Sequence, residues 1–258
     1  KLNAMTYNQQ YFQKTELAIK NKFYKCYLSP ILVKNNFKHG FFTKTSSEIK
    51  LSLLSKHLNK GSRDCVLNQV HSNKIVLGSK TPANARAEAD GLINDKNNQN
   101  LWIYTADCMP ILFADKRKRC VAAIHCGRRG LEIKIIKNLI KKFYNKGCSK
   151  EDLLVAIGPS ISKKNYLVDK KTLQNFYIQT SHKELISCSE DEKILLKFKE
   201  EDFPLNLKKY AYIQLLNENI PNSNIDISNL CTFQSDYEFY SWRRSKSPLR
   251  QWNFISPS

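Results

Sequence analysis

The sequence predicts an α+β fold: a single domain in which a mixed β-sheet is layered with helices. Three observations point there. Short segments rich in β-branched and aromatic residues recur along the chain, each bounded by polar or turn residues. One later stretch repeats its apolar residues every four positions. Strand-like and helix-like stretches are interleaved, and no shift of composition marks a domain boundary.

The strand signals, in order, are Cys65 to Val70, Lys74 to Leu77, Leu101 to Tyr104, Pro110 to Ala114, Cys120 to Ile124, and Leu153 to Ile157. Gly158-Pro159 ends the last of them, and Asn97-Asn98-Gln99-Asn100 reads as a loop between two others. The clearest helix is predicted from Gly130 to Tyr144. Leu131, Ile135, Leu139 and Phe143 form its stripe, and Ile136 and Ile140 widen it. Lys134, Lys137, Lys141 and Lys142 occupy the other face, and Gly147 is placed to end it. Lys170 to Tyr177 and Leu207 to Asn217 are predicted helical as well.

With 258 residues, 41% of them hydrophobic, the chain can bury a substantial core. Its longest apolar runs, Met109 to Phe113 and Val121 to Ile124, are strand-sized and far short of the roughly 20 residues that cross a bilayer. Lys1 to Gln10 lacks the apolar centre of a signal peptide, and Lys1 to Ala4 ahead of Met5 reads as an added leader. These features predict a soluble, cytoplasmic protein. The eight cysteines (Cys26, Cys65, Cys108, Cys120, Cys126, Cys148, Cys188 and Cys231) are scattered without a CxxC pair, which reads as reduced thiols, most of them buried. Lys and Arg number 42 against 23 Asp and Glu, a formal net charge of +19. The lysines are spread evenly, which argues against a nucleic-acid surface and suits an anionic substrate. The one dense run, Lys116-Arg117-Lys118-Arg119, follows Asp115 and reads as a solvated turn.

Three segments place a metal-type ligand beside turn chemistry. His71 lies at a strand end in Asn68-Gln69-Val70-His71-Ser72. Cys108 sits between two apolar strands in Thr105-Ala106-Asp107-Cys108-Met109-Pro110. His125 precedes the turn Cys126-Gly127-Arg128-Arg129-Gly130. Strand ends leading into loops are where a rigid scaffold presents functional side chains. Two His and one Cys match a catalytic zinc site with an open position, while spacings of 37 and 17 residues form no compact finger. The same residues also suit a nucleophile pair, with Cys108 as thiolate and His125 or His71 as its base. Residue types alone leave that choice open.

Gln69-Val70-His71, Ala89-Asp90-Gly91, and Thr105 to Cys108 with Pro110 to Asp115 form three ordered blocks. Ala122 to Leu131, Ala156-Ile157-Gly158-Pro159 and Phe239-Tyr240-Ser241-Trp242-Arg243-Arg244 follow in turn. Together they resemble the signatures of the YfiH family, also called laccase-domain or multicopper polyphenol oxidoreductase-like proteins and purine nucleoside phosphorylases. The resemblance runs from about Phe37 to Ile255. It implies an N-terminal segment over 1–36 ahead of one YfiH-like catalytic domain over 37–258, similar in fold to the cytotoxic necrotising factor catalytic domain. The chain departs from the family pattern at Lys44, Cys126, Arg128, Ser160 and Ser162.

The resemblance implies a zinc at His71, Cys108 and His125, copper being the older assignment. It also implies a purine nucleoside phosphorylase with adenosine deaminase and methylthioadenosine phosphorylase activity. One such site cannot supply several coppers and zinc has no redox chemistry, which favours hydrolysis or phosphorolysis over oxidation. In deamination, zinc would activate water against the purine C6, with Asp107 or Asp90 moving the protons. In phosphorolysis, Lys44, Arg129 and Arg243 would hold the phosphate. Asp107 equally suits a role holding a histidine ligand, Asp90-Gly91 a plain turn, and Arg243-Arg244 a structural pair. Three rival readings are a copper polyphenol oxidase, a Cys–His hydrolase or deamidase, and a non-enzymatic basic binding protein. The expected partners are a purine nucleoside and phosphate, with no membrane and no nucleic acid.

Overall fold

Every residue of the segment Met109–Asp115 is buried, so both faces of that strand must be covered and it belongs at the centre of the molecule. The computed structural model of the chain, which describes residues 11–82, 86–180 and 203–257, builds two sheets around it. The predicted leader at Lys1 to Ala4 and Cys188 lie outside the described residues. In chain order the first half comprises β1 (Gln13–Ile19), β2 (Lys22–Leu28), α1 (Pro30–Lys34), β3 (Lys38–Phe42), α2 (Leu51–Leu58), β4 (Arg63–Asn68), β5 (Ile75–Leu77), β6 (Ala87–Glu88), β7 (Gly91–Ile93), β8 (Gln99–Thr105), β9 (Met109–Asp115) and β10 (Val121–Cys126). There follow α3 (Arg128–Glu132), α4 (Ile135–Asn145), β11 (Leu153–Ile157), β12 (Leu167–Val168), α5 (Lys170–Thr180), β13 (Phe203–Pro204), α6 (Leu207–Asn217), β14 (Ile225–Ile227), α7 (Trp242–Ser245) and β15 (Gln251–Ser256).

One sheet has the order β1-β2-β3-β15-β8-β4-β6, the other β14-β11-β9-β10-β7-β5, and β12 pairs with β13. Both large sheets are mixed. β4 is parallel to β8 and β6, β11 to β14, and β5 to β7, whereas β9 is antiparallel to both its neighbours. The α+β class with a mixed sheet is therefore borne out.

Strand alternation sorts the core into layers. Ile111, Phe113, Ala122, Ile124, Val155 and Ile157 pack with Leu131, Ile135, Leu139 and Phe143 of α3 and α4 and with Ala211 and Leu215 of α6. The alternate residues Leu112, Ala114, Val121, Ala123, Leu154 and Ala156 pack with Cys65, Leu67, Leu101 and Ile103 of the other sheet. On the far face of that sheet, Leu54 of α2 packs with Trp102, Phe42 and Phe254. Helices, six-stranded sheet, seven-stranded sheet and helix thus follow one another. Phe113 faces Phe143 with ring centroids 6.2 Å apart, and Phe113→Ala there would cost about 3–5 kcal/mol.

Four readings are corrected. The helix predicted over Gly130 to Tyr144 is two helices, α3 and α4, because Lys134 turns left-handed at φ 59°. Both pieces still bury one continuous stripe, which is why the period of four survives the break. Gln99 and Asn100, expected in a loop, begin β8; Gln99 bonds Asp95, and Asn100 bonds Ser55 and Asp64. The Lys116–Arg119 run is a turn that is exposed at Lys116, Arg117 and Lys118, as predicted, and only Arg119 departs from that reading. Lys116 and Arg117 pair with Asp152 at 3.3 and 2.9 Å. Arg119 lies over the Phe37 ring at 3.7 Å and donates to the carbonyls of Asn35, Asn36 and Pro257. Finally, β1, β2, β3 and β15 carried no signal that was read as strand, yet they supply more than half of one sheet. No helix among the described residues is long and apolar enough to cross a membrane.

Candidate metal centre

Three strand ends meet where the two sheets come together. β4 ends at Asn68, and the chain turns through His71, which takes φ 59°. A left-handed histidine needs local support, and Asp90, just ahead of β7, supplies it. Its carboxylate accepts from the backbone N–H groups of Val70 (3.2 Å), His71 (3.0 Å) and Ser72 (2.6 Å) and from the Ser72 hydroxyl (2.8 Å). The same carboxylate accepts from Nδ1 of His125 at 2.8 Å, so Nε2 of that ring is the atom left for a ligand. Burial pushes the Asp90 carboxyl up, but the bonds from His125 and Ser72 outweigh it and hold it at about 2.

Cys108 arrives from the turn that crosses from β8 in one sheet to β9 in the other. Asp107, at φ 86°, makes that crossing. Its carboxylate accepts from Thr232 Oγ1 (2.7 Å), Ser241 Oγ (3.0 Å) and the Arg243 N–H (2.7 Å). Further out, buried Lys208 donates to the carbonyls of Ser228 (2.6 Å) and Leu230 (2.8 Å), shaping the loop that carries Thr232, and burial lowers its ammonium to about 8. Gly127, directly after β10, lets the thiol in: a Cβ there would stand 2.5 Å from Cys108 Sγ.

The donor atoms of His71, Cys108 and His125 all lie within 4.8 Å of one another. Cys108 Sγ is 3.9 Å from His71 Nε2, and the two imidazole centroids are 4.7 Å apart at 73°. Zinc bonds of about 2.3 Å to sulfur and about 2.0 Å to nitrogen put tetrahedral S and N donors about 3.6 Å apart, so the three residues fit that ion with a small closure. Burial pushes the Cys108 thiol up, but the imidazoles of His125 and His71 bring it down to about 6. Burial likewise lowers His125, and Cys108 with Asp90 overturns that, raising it to about 9. The sulfur is thus held as the anion, the form in which a cysteine could bind a metal.

The triad opens into a cleft of about 530 Å³ whose lining includes Tyr104, Tyr166, Trp242, Arg243, Lys246 and Arg250. The predicted phosphate cations separate here. Arg243 lines the cleft, its Nη1 on the Leu167 carbonyl at 3.0 Å and its guanidinium 5.0 Å from the Tyr166 ring. Lys44 does not line it; its ammonium donates to the Asp236 carbonyl at 2.7 Å. Arg129 is exposed on α3, also away from the lining. Arg244 clamps the carbonyls of Thr232, Phe233 and Phe239. The expected proton movers are placed differently too. Asp90 receives five donors and Asp107 three, which makes both holders of the site rather than open bases. Sequence reading passed over Tyr104, Tyr166, Lys246 and Arg250. The cluster of basic residues after Trp242 was a usable signal for the last two, but Tyr166 carried none.

The chain is similar to known proteins over most of its length. The profile of the multi-copper polyphenol oxidoreductase laccase family matches residues 47–257. A protein of Synechocystis sp. named purine nucleoside phosphorylase is 28% identical over 233 residues, covering 84% of this chain and 88% of that relative. Another so named, from Clostridium acetobutylicum, is 34% identical over 192 residues, covering 73% and 75%. The crystal structure of YfiH from Bacillus licheniformis shares the fold, with a TM-score of 0.72 at 24% identity over 86% of this chain and 93% of that one.

Proposed function

Because this chain belongs to the multi-copper polyphenol oxidoreductase laccase family, some relatives in which are named purine nucleoside phosphorylase, we propose that it is a zinc-dependent enzyme that phosphorolyses purine nucleosides. The observation that carries the reading is the His71–Cys108–His125 triad, opening into an aromatic-walled cleft that also holds Arg243. Zinc there supplies Lewis acidity without a change of oxidation state. Several coppers would need several donor clusters, and among the described residues this is the one group of three or more such donors close enough to hold an ion.

The chain's own residues divide the remaining work. Asp90 orients the His125 ring and the His71 backbone together. Arg243, fixed through its amide to Asp107, offers the cation that holds phosphate. Tyr104, Tyr166 and Trp242 offer ring faces to a purine, and Gln69 stiffens Tyr104 by bonding its backbone N–H and C=O at 2.9 and 2.8 Å. As a phosphate oxygen bonds C1′ of the ribose, the C1′–N9 bond breaks and the phosphate's proton passes to the departing base. Phosphate thereby brings its own proton. Deamination of adenosine would need a protein group to carry protons, and Asp90 and Asp107 are both filled, so phosphorolysis of nucleosides, methylthioadenosine among them, is the reaction the cleft favours. Seven free cysteines among the described residues suit a reducing compartment such as the cytoplasm.

Metal analysis of the purified protein should find about one zinc per chain, with hypoxanthine released from inosine in phosphate buffer and not in its absence. Zinc-loaded protein that releases no base under those conditions would overturn the reading. Inactivation of the metal-stripped protein by a thiol alkylator, with turnover needing no metal, would favour the Cys–His hydrolase instead.

A further inference from the structure

Arg243, Lys246 and Arg250 all line the cleft, and among the described residues none of them forms a salt bridge with an acidic side chain. The one carboxylate in the lining, on Asp107, is taken up by Thr232, Ser241 and the Arg243 amide. The three cations outnumber the anionic groups of the lining, the Asp107 carboxylate and the Cys108 sulfur, and such an excess of positive charge attracts and concentrates anions. A neutral nucleoside with one inorganic phosphate uses only part of that field.

The three cations are not equivalent. The Arg243 guanidinium sits on the Tyr166 ring and bonds the Leu167 carbonyl. Lys246 and Arg250 gather around Trp242 instead, the ammonium 5.8 Å and the guanidinium 5.4 Å from the ring centroid. Trp242 is 46% exposed. Arg250 holds the carbonyls of Ser247 and Leu249 through Nη1, which fixes the guanidinium plane and leaves its other nitrogens without a hydrogen bond among the described residues. A planar guanidinium and a compact ammonium are both groups that bind phosphate, and here both stand at the same exposed ring.

We infer that Lys246 and Arg250 hold a phosphate carried by the substrate itself, so that the chain takes purine nucleoside 5′-monophosphates as well as nucleosides. The inference rests on the phosphorolytic reading above. The 5′ carbon leaves the ribose at C4′, across the ring from the reacting C1′, which suits cations held at Trp242 rather than at the Tyr166 ring that carries Arg243. In the reaction the C1′–N9 bond of the nucleotide breaks, an oxygen of HPO₄²⁻ bonds C1′, and its proton goes to the base. The products are a free purine and ribose 1,5-bisphosphate.

Calorimetric titration of the zinc-loaded protein with adenosine 5′-monophosphate, adenosine and inorganic phosphate tests this. The nucleotide should bind at least tenfold more tightly than the nucleoside, and Lys246→Gln with Arg250→Gln should remove that advantage, zinc content reporting that the variant folds. Equal binding of nucleotide and nucleoside overturns the inference. So does a variant that loses affinity for inorganic phosphate while keeping the nucleotide preference, since the pair would then serve the co-substrate. Turnover separates the two readings. Base release from adenosine but not from its 5′-monophosphate overturns this inference alone, whereas preferential nucleotide binding with no release from either overturns the phosphorolytic reading and leaves the phosphate site standing.

Discussion

His39 and His125 are each 6% exposed, yet their surroundings drive them in opposite directions. His39, on β3, accepts the Ser29 N–H at Nε2 and faces the Phe37 carbonyl with Nδ1, both at 2.8 Å. One acceptor and one donor define a neutral ring, and burial lowers it to about 4. His125, at the end of β10, bonds a carboxylate with Nδ1 and faces a thiol, and it is raised to about 9 against the same burial. Both nitrogens of His39 are used by the backbone, so that ring can only brace the fold. His125 turns Nε2 toward the Cys108 sulfur instead, because Asp90 takes the other nitrogen. Partners, not depth, make one histidine structural and the other a candidate ligand.

Removing either of two ligands at the second site is the sharpest way to break this contrast. His125→Ala or Cys108→Ala should lower zinc from about one per chain to near none after dialysis, read by metal analysis, while His39→Gln keeps the metal; zinc retained by the first two variants would dissolve the difference. The next effect belongs to His39. Its folded pKa lies below the unfolded value of 6.5, so the unfolded state binds the extra proton and the contribution to stability is complete above about pH 6.5. It is lost as pH falls from about 6.5 to 4, a loss of about 3 kcal/mol. Urea unfolding across that range should show a shallower acid loss for His39→Gln, and parallel curves for the two proteins would refute the assignment. Asp90→Asn comes third. An amide nitrogen would face the donors of Val70 and Ser72, and zinc affinity should fall by about 10–100-fold in competition with a chromophoric chelator. Smallest is Gly127→Ala, whose methyl must displace the Cys108 sulfur. It should cost roughly 1–2 kcal/mol in thermal unfolding, and more with zinc bound than without, because the metal fixes the sulfur.

The parts of the fold that were legible have strong local periodicity. Leu153–Ile157 and Leu207–Asn217 have the predicted bounds, and the four-residue stripe through Leu131 and Phe143 was read correctly in spite of the break at Lys134. β1 and β2 escaped because they mix charged residues among apolar ones, and β3 and β15 because they pair across most of the chain, as Asn253 does with Phe41. Arg119 was misread because its partners, Phe37 and the carbonyl of Pro257, are brought to it only by folding. The family blocks identified His71, Cys108 and His125, but they could not tell Lys44 and Arg129, outside the cleft, from Arg243 within it.

By itself the sequence determined the α+β class and the family and pointed to three candidate donor residues, because strand-end motifs and apolar periods are local and survive without coordinates. Tertiary structure decided what those residues can do. It turned Asp90 and Asp107 from candidate proton carriers into saturated holders. It also joined two sheets at the Asp107 crossing and brought Trp242, Lys246 and Arg250, far away in the chain, to the cleft beside Cys108. Hydrogen-bond saturation and charge convergence are properties of neighbours in space, and no spacing along the chain encodes them.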